Sequence, residues 1–345
     1  MRAREGDFVE SQEGWVFDVK GLLHPPDSVI AFVRYIPDAQ GDRVRRGVTY
    51  RKIYDLSARY DFLRQHRPQY LRYDPVFDTW LSEVPVSAVA HHYIPQHGTR
   101  RLLDAPHLDA VEQQTLDFIT FLHEATSIPL EAFGVSGSVL VGLHSDDSDI
   151  DLIVYGQADS QTVRATLTTF LSEASQVRPF GREELHRRYV ARQRNTPVSV
   201  RDYVFHETRK SFQGVFQGRE FFIRYVKAWP EVTEQYGDVT YQDAGTTTIH
   251  GRVVDAADSL FTPCTYILAD VAVLAGASAP VTEVASFRGR FCEQAVRGEW
   301  VRAHGKLERV TAQGRTHYRV VLGGRPGDYM VTLHEGSRAE EENDP

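Results

Sequence analysis

The alternation of apolar and polar positions divides the chain into a β-rich start, a mixed middle and a β-rich end. Residues 14–23 (GWVFDVKGLL) and 29–36 (VIAFVRYI) are strand-like runs separated by the turn at Pro25-Pro26. A third run, 47–53, follows a polar connection at 38–46, so a small sheet is predicted here. Residues 56–65 are predicted helical, and the segment up to 104 is then rich in Tyr, Pro and His. Within 104–126, Val111, Thr115, Phe118, Ile119 and Leu122 recur at helical spacing with charge opposite. Pro106 suits a first turn, so one amphipathic helix is predicted across that range. Another runs over 160–174, with Val163, Leu167, Phe170 and Leu171 inward. Between these helices lies the stretch 133–156, FGVSGSVLVGLHSDDSDIDLIVYG. It reads as an apolar strand ending at Gly137-Ser138, a short apolar helix at 139–143, a polar turn at 144–148 and a second strand at 149–155.

Further along, a helix over 183–193 places Arg188 and Arg192 on one face at i,i+4. Strands are predicted at 198–205 (VSVRDYVF) and, after a hairpin at 214–218, at 219–226 (REFFIRYV). Residues 234–246 read as a polar linker. The runs 247–255, 266–275, 301–310 and 316–322 alternate in strand fashion, and about five or six short strands in this region predict a small barrel. The predicted class is α+β. Its divisions are a β-rich region at 1–104, a core at 105–235, a barrel at 246–335 and a disordered acidic tail at 336–345.

Composition changes this picture little. A chain of 345 residues, 41% apolar and 25% charged, is ordinary for a globular protein and long enough for several cores. No apolar run reaches bilayer length, and MRAREGDFVE lacks the apolar centre of a secretory signal, so a cytoplasmic location with no membrane partner is expected. The net charge of −8 argues against a basic coat for long nucleic acid but permits a local basic cleft. The segment 178–210 is such a place, with nine Arg or Lys against four acids. It reads either as a cationic wall for phosphates or as a solvated helix face. Cys264 and Cys292 form no Cys-x-x-Cys pair and are expected to be buried free thiols. His91, His92 and His97 match no metal spacing and read as ordinary loop and surface histidines. In the barrel, Arg288, Arg290, Arg302, Lys306, Phe287 and Trp300 offer a surface for a single strand, against the plainer reading of ordinary surface charges.

The chemistry concentrates in 133–156. Residues i and i+2 of a strand share a face, which sets Asp149 and Asp151 the same way, about 6.6 Å apart along the backbone. Two carboxylates that close repel each other and raise one pKa unless a cation sits between them. Magnesium, usually held by one or two carboxylates with phosphate oxygens and water, meets that need. The Gly137-Ser138 turn at a helix start lets the backbone approach an anion, and the Ser138 hydroxyl can donate to a phosphate oxygen. The plain alternative is two solvated aspartates beside an ordinary turn.

Gly-Ser, ten residues, then Asp-x-Asp, with an apolar strand on each side, resembles the signature of the polymerase-beta-like nucleotidyltransferase superfamily. The same stretch is similar to the archaeal-type CCA-adding enzymes, without their further motifs elsewhere in the chain. The resemblance is carried by 133–156 and fits a stand-alone prokaryotic nucleotidyltransferase. It implies a nucleotidyltransferase-type mixed sheet with helices, here flanked by the β-rich start and an OB-like barrel. It also implies that Gly137 and Ser138, with Ser148, Arg188, Arg192 and Arg224, hold a nucleoside triphosphate such as ATP. Asp149 and Asp151 would hold one or two Mg2+ ions. The superfamily usually adds a third carboxylate on a later strand. Glu220, on one face with Arg224, and Asp202, on the preceding predicted strand, are the two candidates, and a site without a third acid stays open. The implied function is transfer of a nucleoside monophosphate to a hydroxyl with release of pyrophosphate. The acceptor is left open among a tRNA end or other RNA, a protein and a small molecule. The alternative is a non-catalytic single-stranded nucleic-acid-binding protein on a degenerate nucleotidyltransferase scaffold.

Overall fold

The alternating runs of residues 8–93 pair into one eight-stranded sheet. Its strands are β1 (Phe8–Ser11), β2 (Val16–Val19), β3 (Ser28–Pro37), β4 (Arg43–Arg45), β5 (Val48–Lys52), β6 (Leu71–Asp74), β7 (Thr79–Pro85) and β8 (Val89–Tyr93). The order is β4-β5-β3-β2-β1-β8, with β7 joined to β3 and carrying β6. The polar segment 38–46 is therefore not only a connection, because β4 within it pairs antiparallel with β5. Helix α1 (Leu56–His66) packs over one core, where Phe17, Val29, Val33 and Leu63 are buried together. A second core joins Phe8, Val16, Tyr35 and Tyr50 to Leu140, Val141 and Leu143, the residues just after Gly137-Ser138. Each such buried side chain stabilises by roughly 1.5–3 kcal/mol, against about 0–1 for an exposed ion pair, so this apolar patch seats the sheet on the motif. Arg45 reinforces the joint, donating to Glu10 (2.6 Å), Tyr50 (2.8 Å), Tyr93 (2.8 Å) and the Val141 carbonyl (3.1 Å).

The computed structural model describes residues 1–53, 56–173, 176–192 and 197–333; the expected tail, Ala174 and Gln193 lie outside them. The eight-stranded sheet belongs to the first of two compact units, built from 1–75, 79–178 and 211–236. The unit thus runs across the division expected at 104/105. Its second sheet holds β9 (Phe133–Val135), β10 (Ile150–Tyr155), β11 (Val177–Arg178), β12 (Gln213–Phe216) and β13 (Arg219–Val226), in the order β11-β12-β13-β10-β9. Only β10 and β13 pair in parallel here. The single helix expected over 104–126 is two, α2 (Pro95–Asp104) and α3 (Ala110–Thr126). Pro106 holds Ala105 extended, and Asp109 caps α3 by accepting from Val111 and Glu112 N–H at 2.9 Å each. The apolar stripe is as read, and Phe118 meets Phe216 and Phe221 of the second sheet at 4.7 Å. Two further helices are α4 (Gly137–Leu140) and α5 (Gln157–Ser172).

The second unit comprises 76–78, 179–210 and the described chain from 237. Residues 198–205 are not a strand: Val200–Glu207 is helix α7, preceded by α6 (Arg182–Arg192). Ser199 caps α7, accepting from the Asp202 N–H at 3.1 Å, and Tyr203, His206 and Glu207 are buried at helical spacing. Nor is 234–246 a linker throughout, since β14 (Val239–Asp255) begins inside it. With β15 (Cys264–Gly276), β16 (Val281–Ser286), β17 (Trp300–Ala312), β18 (Arg315–Leu322) and β19 (Tyr329–Thr332) it forms a six-stranded sheet. β14 pairs with both β15 and β17, so the path β14-β15-β16-β18-β17 returns on itself as a ring. Within that ring only β16 and β18 are parallel. Cys264 and Cys292 are buried free thiols, and burial followed by the contact with Cys292 pushes the Cys264 thiol up. Among the described residues no helix is long and apolar enough to cross a membrane.

His24, between β2 and β3, accepts the Ile30 N–H at Nδ1 (3.2 Å) and faces the Ala3 carbonyl with Nε2 (3.1 Å). Those contacts fit the neutral ring, and burial brings its pKa from 6.5 to about 4 despite the Ala3 carbonyl. The unfolded chain takes up a proton near 6.5 and the folded one only near 4. Stability from this group is full above pH 6.5 and falls as pH drops through that window, by up to about 1.4 kcal/mol per pH unit. Thermal melts should give a lower Tm at pH 5 than at pH 7, and His24→Asn should narrow the gap. An unchanged gap would exclude His24 as its source.

Candidate functional site

The strand–bend–helix at 133–143 builds one wall of a cavity. Ser136 is extended, its N–H donating to the Asp151 carbonyl (2.8 Å) and its hydroxyl to the Gly6 carbonyl (2.7 Å). Gly137 then turns into the left-handed region, φ +59°, and a Cβ there would overlap the carboxylate of Asp151. That is the physical need for glycine: the aspartate carboxylate lies directly on the bend. The Ser138 carbonyl accepts from Leu143 N–H at 2.9 Å, closing the short α4.

The turn leading to Asp149 is held from two sides. Arg43 from β4 donates to the hydroxyls of Ser145 and Ser148, the latter at 3.2 Å. Arg219 donates to the carbonyls of Asp146 (2.6 Å) and Ser148 (2.7 Å). Asp149 is exposed just before β10, and Asp151, its second residue, is half-buried.

The cavity measures about 260 Å³. Gly137, Ser138, Asp147, Ser148, Asp149 and Asp151 line it from the motif, and Phe222 and Arg224 from β13. The eight-stranded sheet supplies Asp18, Arg34, Tyr35, Arg43 and Lys52. Four carboxylates and four cations therefore line one small chamber. Burial pushes the Asp151 carboxyl up, with Arg224, Arg34 and Lys52 opposing and Asp18 adding to the rise. For Asp18 burial acts the same way, but Lys20, Arg224 and Arg59 outweigh it and bring the carboxyl to about 2. Lys20 sits 2.8 Å from Asp18, and Arg224 is 2.8 Å from Glu5.

The other residues singled out in the sequence lie elsewhere. Glu220 shares the β13 face of Phe222 and Arg224 but sits at the strand's start, opposite Val215, and does not line the cavity. Asp202 is on α7 in the second unit and accepts from the Ser199 hydroxyl at 2.7 Å. Arg188 and Arg192 are on α6 in that unit; Arg188 stacks 3.9 Å above the Phe180 ring and Arg192 pairs with Glu207 at 3.3 Å. Among the described residues, the grouping of three His, Asp or Glu within reach of one ion is Asp109, Glu112 and His144. Its contacts already have a structural account, since Asp109 and Glu112 cap α3 and His144 Nε2 meets Asp109 at 2.7 Å. His92 pairs with Asp7 at 2.8 Å. On the ring of the second unit, Trp300, Arg302, His304 and Lys306 alternate with buried Val301, Ala303 and Leu307. Trp300 meets His250 edge-on at 5.8 Å, Tyr329 stacks on His304 at 5.8 Å, and Lys306 pairs with Glu308 at 2.9 Å. Sequence patterning did not find Asp18, Arg34, Arg43 or Lys52, because alternation shows that a strand has two faces and not what each face meets.

Over 332 residues, 94% of this chain and 96% of the other, the sequence is 28% identical to Uncharacterized protein MJ1086 of Methanocaldococcus jannaschii. No family model and no solved structure matches the chain.

Gly137→Ala should destabilise the protein by roughly 1–3 kcal/mol, from the left-handed backbone and the overlap with Asp151 together. Urea unfolding of the two proteins measures the difference. A loss below about 0.5 kcal/mol, the range of a neutral surface change, would mean that Asp151 does not rest on the bend.

Proposed function

We propose that the protein is a metal-dependent nucleotidyltransferase that moves a nucleoside monophosphate from a nucleoside triphosphate to a hydroxyl and releases pyrophosphate. The observation that carries this reading is the Asp151 carboxylate set on the Gly137 bend, in one cavity with Asp149 and Ser138. The donor set fits magnesium: two hard carboxylates, an exposed and a half-buried one, in a cavity that Ser138 also lines. Magnesium there would offset phosphate charge and lower the pKa of the acceptor hydroxyl. Gly137 leaves room for the Asp151 carboxylate on the bend, and the Ser138 hydroxyl would orient the phosphates by donating to a phosphate oxygen. Arg224, held by Glu5, is a fixed cation for charge that develops on the leaving pyrophosphate. The reaction breaks the acceptor O–H bond, its proton passing to water, forms a bond from the acceptor oxygen to the α-phosphorus and breaks the bond from that phosphorus to the bridging oxygen of the β-phosphate. Positioning and charge supply most of the catalysis in such transfers.

For the acceptor we favour RNA. The ring closes five strands with its third and fifth parallel, and we read it as an OB-like barrel. Its outward Trp300, His304 and Tyr329 suit stacking on unpaired bases, with Arg302 beside them. A second reading is a strand-binding protein on a degenerate scaffold, favoured by the position of Glu220 and Asp202 off the cavity.

Label transfer from each nucleoside triphosphate, with Mg2+ and RNA, protein or small-molecule acceptors, should yield a labelled product for one pairing. Asp149→Ala/Asp151→Ala should lower it by about a hundredfold or more, the scale for removing one preorganised electrostatic contact. Undiminished transfer in the double variant would sink the assignment. A strand binder would show no transfer, no metal requirement and oligonucleotide binding that falls steeply with salt. An enzyme should gain about 2.7 kcal/mol of stability from Mg2+ and its triphosphate at a hundred times Kd.

A further inference from the structure

Ser138 and Arg224 meet the phosphates from the motif and from β13, and the N-terminal sheet adds Arg34, Arg43 and Lys52 to the same cavity. Arg188 and Arg192 belong to the second unit, whereas the cations that line the cavity come from the first. We propose that the N-terminal sheet is the phosphate wall, with Lys52 holding the terminal phosphates of the triphosphate and Arg34 beside it. This rests on the nucleotidyltransferase reading and names a residue which that reading does not require.

The strand geometry places Lys52. It ends β5 and pairs directly with Tyr35 of β3. Residues i and i+2 of a strand share a face, so Lys52 lies on the side of Tyr50. Tyr50 and Tyr35 are both packed in the core that contains Leu140, Val141 and Leu143, directly after Gly137-Ser138. The sheet is therefore seated so that the next inward position beyond Tyr50 overhangs the bend. That position lines the cavity together with Asp149 and Asp151.

Two of the other three lining cations also brace the structure around the cavity. Arg43 holds Ser145 and Ser148 in the turn, and Arg224 is anchored on buried Glu5. Lys52 carries a compact charge on a four-carbon stem, the form in which lysine usually meets phosphate. Its surroundings agree: burial and Arg34 lower its pKa to about 8, Asp151 resists, Arg43 adds to the fall and Asp149 resists again. The ammonium thus feels both the acids and the arginines. A chamber whose own charges balance is suited to a ligand that brings its own counter-ion, as a metal-bound triphosphate does.

The test uses inorganic tripolyphosphate, the phosphate chain without base or ribose, titrated calorimetrically into the full chain with Mn2+. Binding of Mn2+ alone is followed by electron paramagnetic resonance. Lys52→Ala should weaken tripolyphosphate at least about tenfold, the range for a lost charged hydrogen bond, while Mn2+ still binds. Lys52→Met, which keeps the stem and drops the charge, should show the same loss with an unchanged circular dichroism spectrum, and Lys52→Arg should recover most of it. Arg188→Ala/Arg192→Ala should stay within about twofold of the parent. Tripolyphosphate binding equal to the parent in Lys52→Met overturns the inference and leaves the nucleotidyltransferase reading standing. A parent chain that binds neither Mn2+ nor tripolyphosphate overturns both.

Discussion

Glu5 is fully buried and holds two cations at once, Lys20 at 3.2 Å and Arg224 at 2.8 Å, while also accepting the Gly21 N–H at 2.6 Å. Lys20 continues to Asp18 at 2.8 Å, so charge alternates along Asp18, Lys20, Glu5 and Arg224. Desolvating one carboxylate this completely is costly, and only a full set of partners makes it tolerable. The arrangement joins the N-terminal segment, β2 and β13, which no local pattern connects. It also fixes the guanidinium whose charge most strongly opposes the effect of burial on Asp151. The acid on the bend is therefore governed by a residue near the start of the chain.

This explains why the cavity belongs to both sheets of the first unit. The apolar core of Phe8, Val16, Tyr35, Tyr50, Leu140, Val141 and Leu143 supplies the adhesion, and the charged chain supplies the register. Hydrophobic burial is non-directional and would tolerate sliding of one sheet on the other, whereas a buried ion pair that slips is left unpaired. Arg45 adds a similar restraint at the far side of that core, donating to Glu10, Tyr50, Tyr93 and Val141.

Local signals explain what was legible. The stretch 133–156 contains its own strand, bend, turn and strand; the two strands fall where the pattern puts them, while the helix expected at 139–143 is Gly137–Leu140 and begins at the bend itself. The stripe of α3 was equally plain, but its start was misplaced although Asp109-x-x-Glu112 spells a capping box. Ser199-x-x-Asp202 carries a related cap signal, which the strand expected over VSVRDYVF leaves out of account. The wall of Asp18, Arg34, Arg43 and Lys52 was not legible at all. Each residue stands in an ordinary strand, and its meaning comes from packing against residues a hundred positions later. The closing of β14 on β17 is of the same kind, since strand alternation does not say which edges meet.

The second sheet departs from the expected pattern at one register position. Directly beside Asp151 on the parallel neighbour stands Phe222, and two residues on stands Arg224. An aromatic ring and a cation stand beside Asp151 there, and the candidate acid Glu220 lies two residues earlier on the strand. On the nucleotidyltransferase reading this has a thermodynamic consequence. Two carboxylates satisfy only part of magnesium's octahedron, and the nearby cations Arg224, Arg34 and Lys52 weaken the attraction of the empty protein for any divalent ion. Phosphate oxygens supply the missing ligands and the missing negative charge at once. On that reading metal and triphosphate would bind as linked ligands, each raising the affinity for the other by the same factor, because linkage is reciprocal. The phosphates would, on that reading, complete a metal shell that Asp149 and Asp151 begin, with Phe222 and Arg224 beside Asp151 on the neighbouring strand.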